Sequence, residues 1–227
     1  MDGHITTWIN GFVGASPTFD GLLAFYLAND LVKGLPIAVI FLYLWFVRGP
    51  DRDRRRTMLL ATVVLSVVAI AAGRLLAKAL PHRLRPLQAD PSLTLAPGTR
   101  PEDFDGWSSL PSDHAVLFFG LAAAFWLIDR KAGLLMALHA VIAVAVARIY
   151  FSLHWATDIL LGALVGIAIV LVLMRPLCRL GDRMRLVEHG ERHHEWLHPL
   201  LFVAPFQIAT MFNSARAVVF HLAGLFA

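Results

Sequence analysis

Three short groups of polar side chains carry the chemistry open to this sequence. Lys78, Arg83 and Arg85-Pro86 place three cations within eight residues. Such cations repel one another unless an anion offsets them; arginine grips phosphate oxygens in pairs, and lysine acts as a point charge. The alternative is a basic collar whose side chains snorkel at a helix end. Pro111-Ser112-Asp113-His114 forms the second group. Ser112 is placed to cap a helix, whose free N–H groups and dipole attract an anion. His114, in the first turn, is placed to hand a proton to a leaving oxygen. Asp113 would oppose an anion if it pointed inward, so it is expected to cap the helix or face elsewhere. The third group is Arg148, His154 and Asp158. His154 and Asp158 share a helical face at i,i+4. A carboxylate there can hold one imidazole nitrogen and leave the other free as a nucleophile; a neutral buried histidine near an interfacial aspartate is the plainer reading. His114 is expected to lack such a partner.

Each group alone is ambiguous. Together they supply phosphate-binding cations, a capped helix start, two histidines and a carboxylate. That is a sensible inventory for in-line phosphoryl transfer, in which catalysis is mostly positioning and charge stabilisation.

The elements that must position these groups are apolar helices. Of the 227 residues 58% are hydrophobic and only 16% are charged, too apolar a balance for an ordinary soluble domain. The apolar residues come in blocks, and each approaches the ~20 residues of a membrane-spanning helix once its flanking turns are included. The expected fold is all-α, a polytopic transmembrane bundle of about five to six spans. Spans are expected at about 20–47, kinked at Gly34 and Pro36, then 57–80, 112–128, 132–150 and 155–174. In the last of these, Gly162 and Gly166 form a Gly-x-x-x-Gly pair that would allow close helix contact. Residues 48–56 read as a loop with five arginines, and 87–110 as a long external loop. Four regions follow: an interfacial start over 1–17, where Ile5, Trp8, Ile9 and Phe12 recur at helical spacing; a membrane domain over 18–175; a charged segment over 176–198; and an apolar end over 199–227 holding Gln207, Asn213, Arg216 and His221.

Most Lys and Arg fall on one side if the spans alternate, so that side is expected to be cytoplasmic and the three polar groups to face outward. No cleavable signal peptide is expected. The net charge of +4 sits between apolar blocks, which suits a membrane better than nucleic acid. The single Cys178 excludes an internal disulfide and a thiolate zinc site. The histidine pairs His189/His193 and His194/His198 are read as incidental to a solvated segment.

The sequence resembles the type 2 phosphatidic acid phosphatase superfamily, whose pattern is Lys-x6-Arg-Pro, Pro-Ser-Gly-His and Ser-Arg-x5-His-x3-Asp. Here these stand as Lys78…Arg85-Pro86, Pro111-Ser112-Asp113-His114 and Ala147-Arg148…His154…Asp158. Ala147 replaces the usual serine and Asp113 the usual glycine. The Pro-Ser-Asp-His version resembles the bacitracin-resistance type of undecaprenyl-pyrophosphate phosphatase. The resemblance implies a metal-independent mechanism without cofactor. His154 would be the nucleophile that forms a phosphohistidine, Asp158 would orient it, and His114 would protonate the leaving group. Lys78, Arg85, Ser112 and Arg148, with Arg83 and Asp113 beside them, would line the phosphoryl site. The implied partner is a polyprenyl or glycerolipid phosphate in a bacterial plasma membrane, met on its outer face. A lipid-anion transporter would explain the arginines but not two histidines with an aspartate. A metal-dependent hydrolase would have to hold its ion in a cationic site. The soluble vanadate haloperoxidases share the motifs but not the apolar spans.

Overall fold

The computed structural model describes residues 2–97 and 99–211. Among them every regular element is helical. Three helical stretches are long and apolar enough to cross a membrane: Arg52–Ala79 (α4), Arg130–Tyr150 and Ala156–Arg183 (α9). A fourth span arises if the bent pair Pro17–Ala28 (α2) and Asp30–Phe46 (α3) is counted as one. Asp113–Ile128 (α6) is apolar but only 16 residues long. The chain is therefore a multi-pass helical membrane protein. Its outward faces carry large apolar side chains, such as Leu160, Leu164, Leu171 and Val172 on α9, as lipid-facing helices require.

α6 is the central helix. Ala115, Val116, Leu117 and Phe118 on successive positions are all buried, because α6 packs against α4, α9 and the Arg130–Ala140 helix (α7) at once. The glycine pair lets α9 close on it. A Cβ on Gly162 would lie 2.6 Å from the Ser112 carbonyl, and one on Gly166 would lie 2.0 Å from that of Val116. These contacts seat the start of α6, with its Ser112–His114 motif, against the start of α9, where Asp158 lies. The Ser112 N–H donates to the Asp158 carbonyl at 3.2 Å.

The first span breaks at a different place from the one expected. α2 and α3 meet at 66° around Asn29, while Pro36 sits inside α3. Asn29 provides the reason: its side chain accepts from the Val32 N–H at 3.0 Å and starts a new helix. His139 of α7 ties both limbs together, through the Tyr26 hydroxyl at 2.6 Å and the Lys33 carbonyl at 2.8 Å. Of the five arginines expected in a loop at 48–56, Arg48 lies in the connection and the other four open α4, which begins at Arg52. Arg55 and Arg56 donate to the carbonyls of Leu44, Val47 and Trp45, the acceptors that the end of α3 leaves open.

Asp2–Asn10 (α1) buries Thr6 and Asn10 and exposes Ile5, Trp8 and, just beyond, Phe12. Asn10 fastens it through the carbonyls of Thr94 and Tyr150. A short helix, Pro86–Ala89 (α5), opens the long loop. α7 runs through a π-helical stretch, Val141–Val146, into Ala147–Tyr150 (α8). The expected border at 175/176 falls within α9, which continues to Arg183. Leu186–Arg192 (α10) and His194–Ala209 (α11) follow, with α11 packed on α3. Gln207 lies in α11, whereas Asn213, Arg216 and His221 lie outside the described residues.

Candidate active site

The motifs converge at one end of the bundle on a cavity of about 430 Å³. Arg85, Asp113, His114, Arg148 and His154 line its polar part. Ala24, Leu27 and Ala28 of α2 give it an apolar side, and Phe104 and Trp107 of the long loop form its outer wall.

His154 is held by a tight turn between α8 and α9. Ser152 adopts a left-handed φ of 55°, which turns the chain back so that the Leu153 and His154 N–H groups both reach the Arg148 carbonyl, at 2.8 and 3.3 Å. The ring is 2% exposed. Its Nδ1 lies 2.9 Å from the Ser109 carbonyl. A carbonyl can only accept, so Nδ1 carries the proton and Nε2 presents its lone pair. Arg85 donates to Nε2 at 3.0 Å and to the Leu153 carbonyl at 2.8 Å. Burial pushes the imidazole pKa down to about 4; the charges of Arg85 and Arg148 add to this and Asp158 opposes it. The ring is thus a neutral base at neutral pH.

Asp158 does not hold His154 directly as expected. Its Oδ2 is 3.6 Å from Nδ1, beyond hydrogen-bond reach. It caps α9 instead, accepting from the Trp155 N–H at 2.9 Å, and it binds Arg83 at 2.7 Å. The Ser109 carbonyl is the direct partner, and nothing local in the sequence marks it. Serine 109 is itself laced to the first motif, its N–H donating to the Arg83 carbonyl at 2.9 Å.

His114 has the partner it was expected to lack. Asp113 Oδ1 accepts from both the His114 backbone N–H and Nδ1, each at 2.8 Å. Ser112 is the N-cap, with its Oγ accepting from the Ala115 N–H at 3.4 Å. It is fully buried behind the cavity wall.

The cations divide. Arg85 and Arg148 face the cavity, and each has a buried Nε–H without a partner among the described residues. Such donors cost ~1–3 kcal/mol each when left unpaired, so an anion in the cavity has strong takers. Arg83 is turned away and committed to Asp158, Asp2 and Thr157. Lys78, in the last turn of α4, is exposed and does not line the cavity. Arg74, one turn earlier, sits 3.9 Å from Asp113. It lies inside an apolar run and outside the motif, so nothing local in the sequence marks it.

Among the described residues no group of three or more His, Cys, Asp or Glu is arranged to hold a metal ion. Of the histidine pairs near residue 190, His189, His193 and His194 are exposed and His198 is half-buried on α11; none lines the cavity.

The chain is 28% identical over 146 residues to the Escherichia coli K12 protein named "Putative undecaprenyl-diphosphatase YbjG", covering 63% of this chain and 67% of that one. It is 26% identical over 145 residues to the bacitracin transport permease protein BcrC of Bacillus licheniformis (64% and 66%). It is 28% identical over 166 residues to the lipid A 1-diphosphate synthase of Escherichia coli K12 (69% and 66%). The aligned parts thus span about two thirds of each relative. No solved structure matches the chain. The profile of the PAP2 superfamily matches residues 57–178, more than half of the 227 residues and all three motifs. With that span matched and the motifs gathered on one cavity, the chain belongs to the PAP2 superfamily.

Proposed function

We propose that this protein is a membrane phosphatase that hydrolyses a lipid diphosphate, undecaprenyl diphosphate to undecaprenyl phosphate, through a phosphohistidine on His154. The observation that carries the reading is the cavity itself. A neutral His154 Nε2 faces it beside two under-bonded guanidiniums, with His114 on the same wall. Arg85 and Arg148 bind the equatorial oxygens of the terminal phosphoryl group, where charge spreads in the transition state. Nε2 attacks phosphorus and forms an N–P bond while the P–O bond to the lipid phosphate breaks. His114 donates a proton to the departing oxygen. In the second half, His114 takes a proton from water, which attacks phosphorus, breaks the N–P bond and releases inorganic phosphate.

The lipid choice is supported by two relatives whose names carry undecaprenyl diphosphatase and bacitracin transport. The apolar wall of α2 beside the polar end suits a substrate that is part headgroup and part hydrocarbon. The side of action follows from charge. α4 starts among Arg52, Arg54, Arg55 and Arg56 and ends near the cavity; at ~1.5 Å rise per residue its 28 residues span about 42 Å. The basic end belongs in the cytoplasm of a bacterial plasma membrane, and the cavity then opens to the cell exterior or periplasm. The four-part domain division is proposed with its membrane unit carried on to the end of α9.

The test is phosphate release by purified protein in EDTA, on undecaprenyl diphosphate and on phosphatidic acid. Faster release from the diphosphate, unchanged by EDTA and blocked by vanadate, supports the reading. Preference for phosphatidic acid would assign the same site to glycerolipids. Loss of all activity in EDTA, restored by a divalent ion, overturns the histidine mechanism.

A further inference from the structure

We infer that Asp113 and Arg74 are positioning residues of the proton donor: Asp113 holds His114 as a carboxylate–imidazole pair, and Arg74 helps to offset the charge of that carboxylate from the side away from His114. The inference rests on the proposed phosphatase reaction, though not on which lipid is cleaved. Three observations carry it. Asp113 Oδ1 takes both the backbone N–H and Nδ1 of His114 at 2.8 Å, which fixes the ring about its own first turn. The Asp113 carboxylate and a phosphate entering the cavity both favour the imidazolium; in that form Nδ1–H is tied to Asp113 and Nε2–H is the proton left to give away. The ring also lies parallel to Phe118, with centroids 6.5 Å apart, so its plane is set from a second side.

The third observation is Arg74. α4 passes close to Asp113 at Gly73, where a Cβ would stand 3.5 Å from the Asp113 Cα. The next residue brings its guanidinium to 3.9 Å from Asp113 Oδ2, the oxygen that His114 does not use. Arg74 Nε is buried and has no partner among the described residues. A lone carboxylate on the cavity wall would repel a phosphate. Held by the imidazole and set among the guanidiniums of Arg74, Arg148 and Arg85, it lends orientation without presenting a bare charge. This accounts for an aspartate at a position where the superfamily pattern has glycine.

The step it assists balances simply. The His114 Nε2–H bond breaks as the leaving lipid oxygen gains that proton, and the N–P bond at His154 forms as the P–O bond breaks. Asp113 keeps its charge throughout and holds the Nδ1 proton by hydrogen bond, steadying the imidazolium before transfer.

The experiment is a double-mutant cycle on whichever lipid phosphate the wild-type protein cleaves, with folding checked by thermal melting in detergent. Asp113→Asn keeps an acceptor but loses the charge, and should lower kcat about 10-fold with KM little changed, a part of the ~10²–10⁴-fold that a general acid gives. Placed on a His114→Ala background, Asp113→Asn should cost nothing further, because the ring it acts through is gone. Arg74→Gln removes one of the cations that offset the carboxylate and should raise KM for the anionic substrate several-fold, with a smaller effect on kcat; this arm decides the matter if Asp113→Asn melts early. Losses that multiply across the cycle, a KM effect alone in Asp113→Asn, or a silent Arg74→Gln each overturn the inference. A wild-type protein that releases no phosphate from any lipid would instead overturn the phosphatase reading.

Discussion

Replacing Gly166 by alanine tests whether the site is positioned by the contact between α6 and α9. The added Cβ would meet the Val116 carbonyl oxygen at 2.0 Å, its carbon at 2.9 Å and the Gly120 nitrogen at 3.0 Å. All three are backbone atoms of a fully packed helix, so no side chain can swing aside. Ordinary contact between heavy atoms lies at ~3.5–4.0 Å, so α9 must retreat from α6 by about 1.5 Å at this point. The 3.2 Å link between the Ser112 N–H and the Asp158 carbonyl spans the same seam, two turns away. A shift of that size separates the helix that carries His114 from the one that follows His154. Overpacking of this kind costs ~1–3 kcal/mol of stability, while a 1 Å misplacement of reacting groups can cost ~10²-fold in rate. Gly166→Ala should therefore reach the membrane and fold, melt somewhat lower, and turn over about 10²-fold more slowly in a phosphate-release assay normalised to folded protein. Gly21→Ala is the control, since its Cβ would meet nothing within 4 Å. If Gly166→Ala keeps activity within about two-fold of wild type while stability falls as expected, the seam does not set the catalytic geometry and the positioning argument fails.

Other outcomes follow from the same structure. His154→Ala should abolish turnover yet still bind vanadate or lipid phosphate, because Arg85 and Arg148 remain; near-normal activity in a folded variant would place the nucleophile elsewhere. His154 should titrate near pH 4 in ¹³C-histidine NMR, assigned by loss of the signal in His154→Ala. Its folded value lies below the ordinary 6.5, so the neutral ring contributes stability above pH 6.5 that is lost as pH falls towards 4; a midpoint at 6.5 would contradict that burial. On a Cys178→Ser background, a cysteine at Glu102 should react with an impermeant thiol reagent added to intact cells and one at Asp53 should not. The reverse pattern would put the cavity in the cytoplasm.

Much of the site is legible because its motifs are linear and sit at helix ends. The cap at Ser112 and the glycines at 162 and 166 each follow from local geometry, and the i,i+4 spacing brings Asp158 near His154 without a hydrogen bond between them. What escapes is whatever depends on contacts across the chain. Asp158 is drawn from His154 towards Arg83, which is itself fixed by Asp2, 81 residues earlier. The Ser109 carbonyl that orients His154 comes from a loop with no periodic signal. Pro36 and Gly34 drew the expected kink, yet a proline within an apolar helix is tolerated where neighbours satisfy the freed carbonyl; an asparagine able to cap a new helix made the break. The arginines at 52–56 looked like a loop by charge alone, but the carbonyls at the end of α3 gave two of them partners within the helical structure. Asp113 was the readable miss. A carboxylate next to an imidazole in a first helical turn can reach it, and that contact is where the side chain goes.

The resting contact between Arg85 and His154 bears on when the nucleophile becomes free. The guanidinium donates to the very nitrogen that must attack, and a lone pair engaged in that way is a poorer nucleophile. A phosphoryl group carries charge and can take two guanidinium N–H groups at once, which a single imidazole nitrogen cannot. Substrate entry should therefore draw Arg85 off Nε2 onto the phosphate, exposing the lone pair only once phosphorus stands before it. The same guanidinium is one of the charges that hold the His154 pKa down. Arg85→Gln should then have two linked effects. KM should rise for want of a phosphate ligand, and the His154 titration should move up from about 4 towards the ordinary 6.5. Bicarbonate-free NMR titration of the variant reads the second effect without any turnover. A raised KM with an unmoved titration would show that Arg85 binds substrate but does not restrain the nucleophile in the empty site.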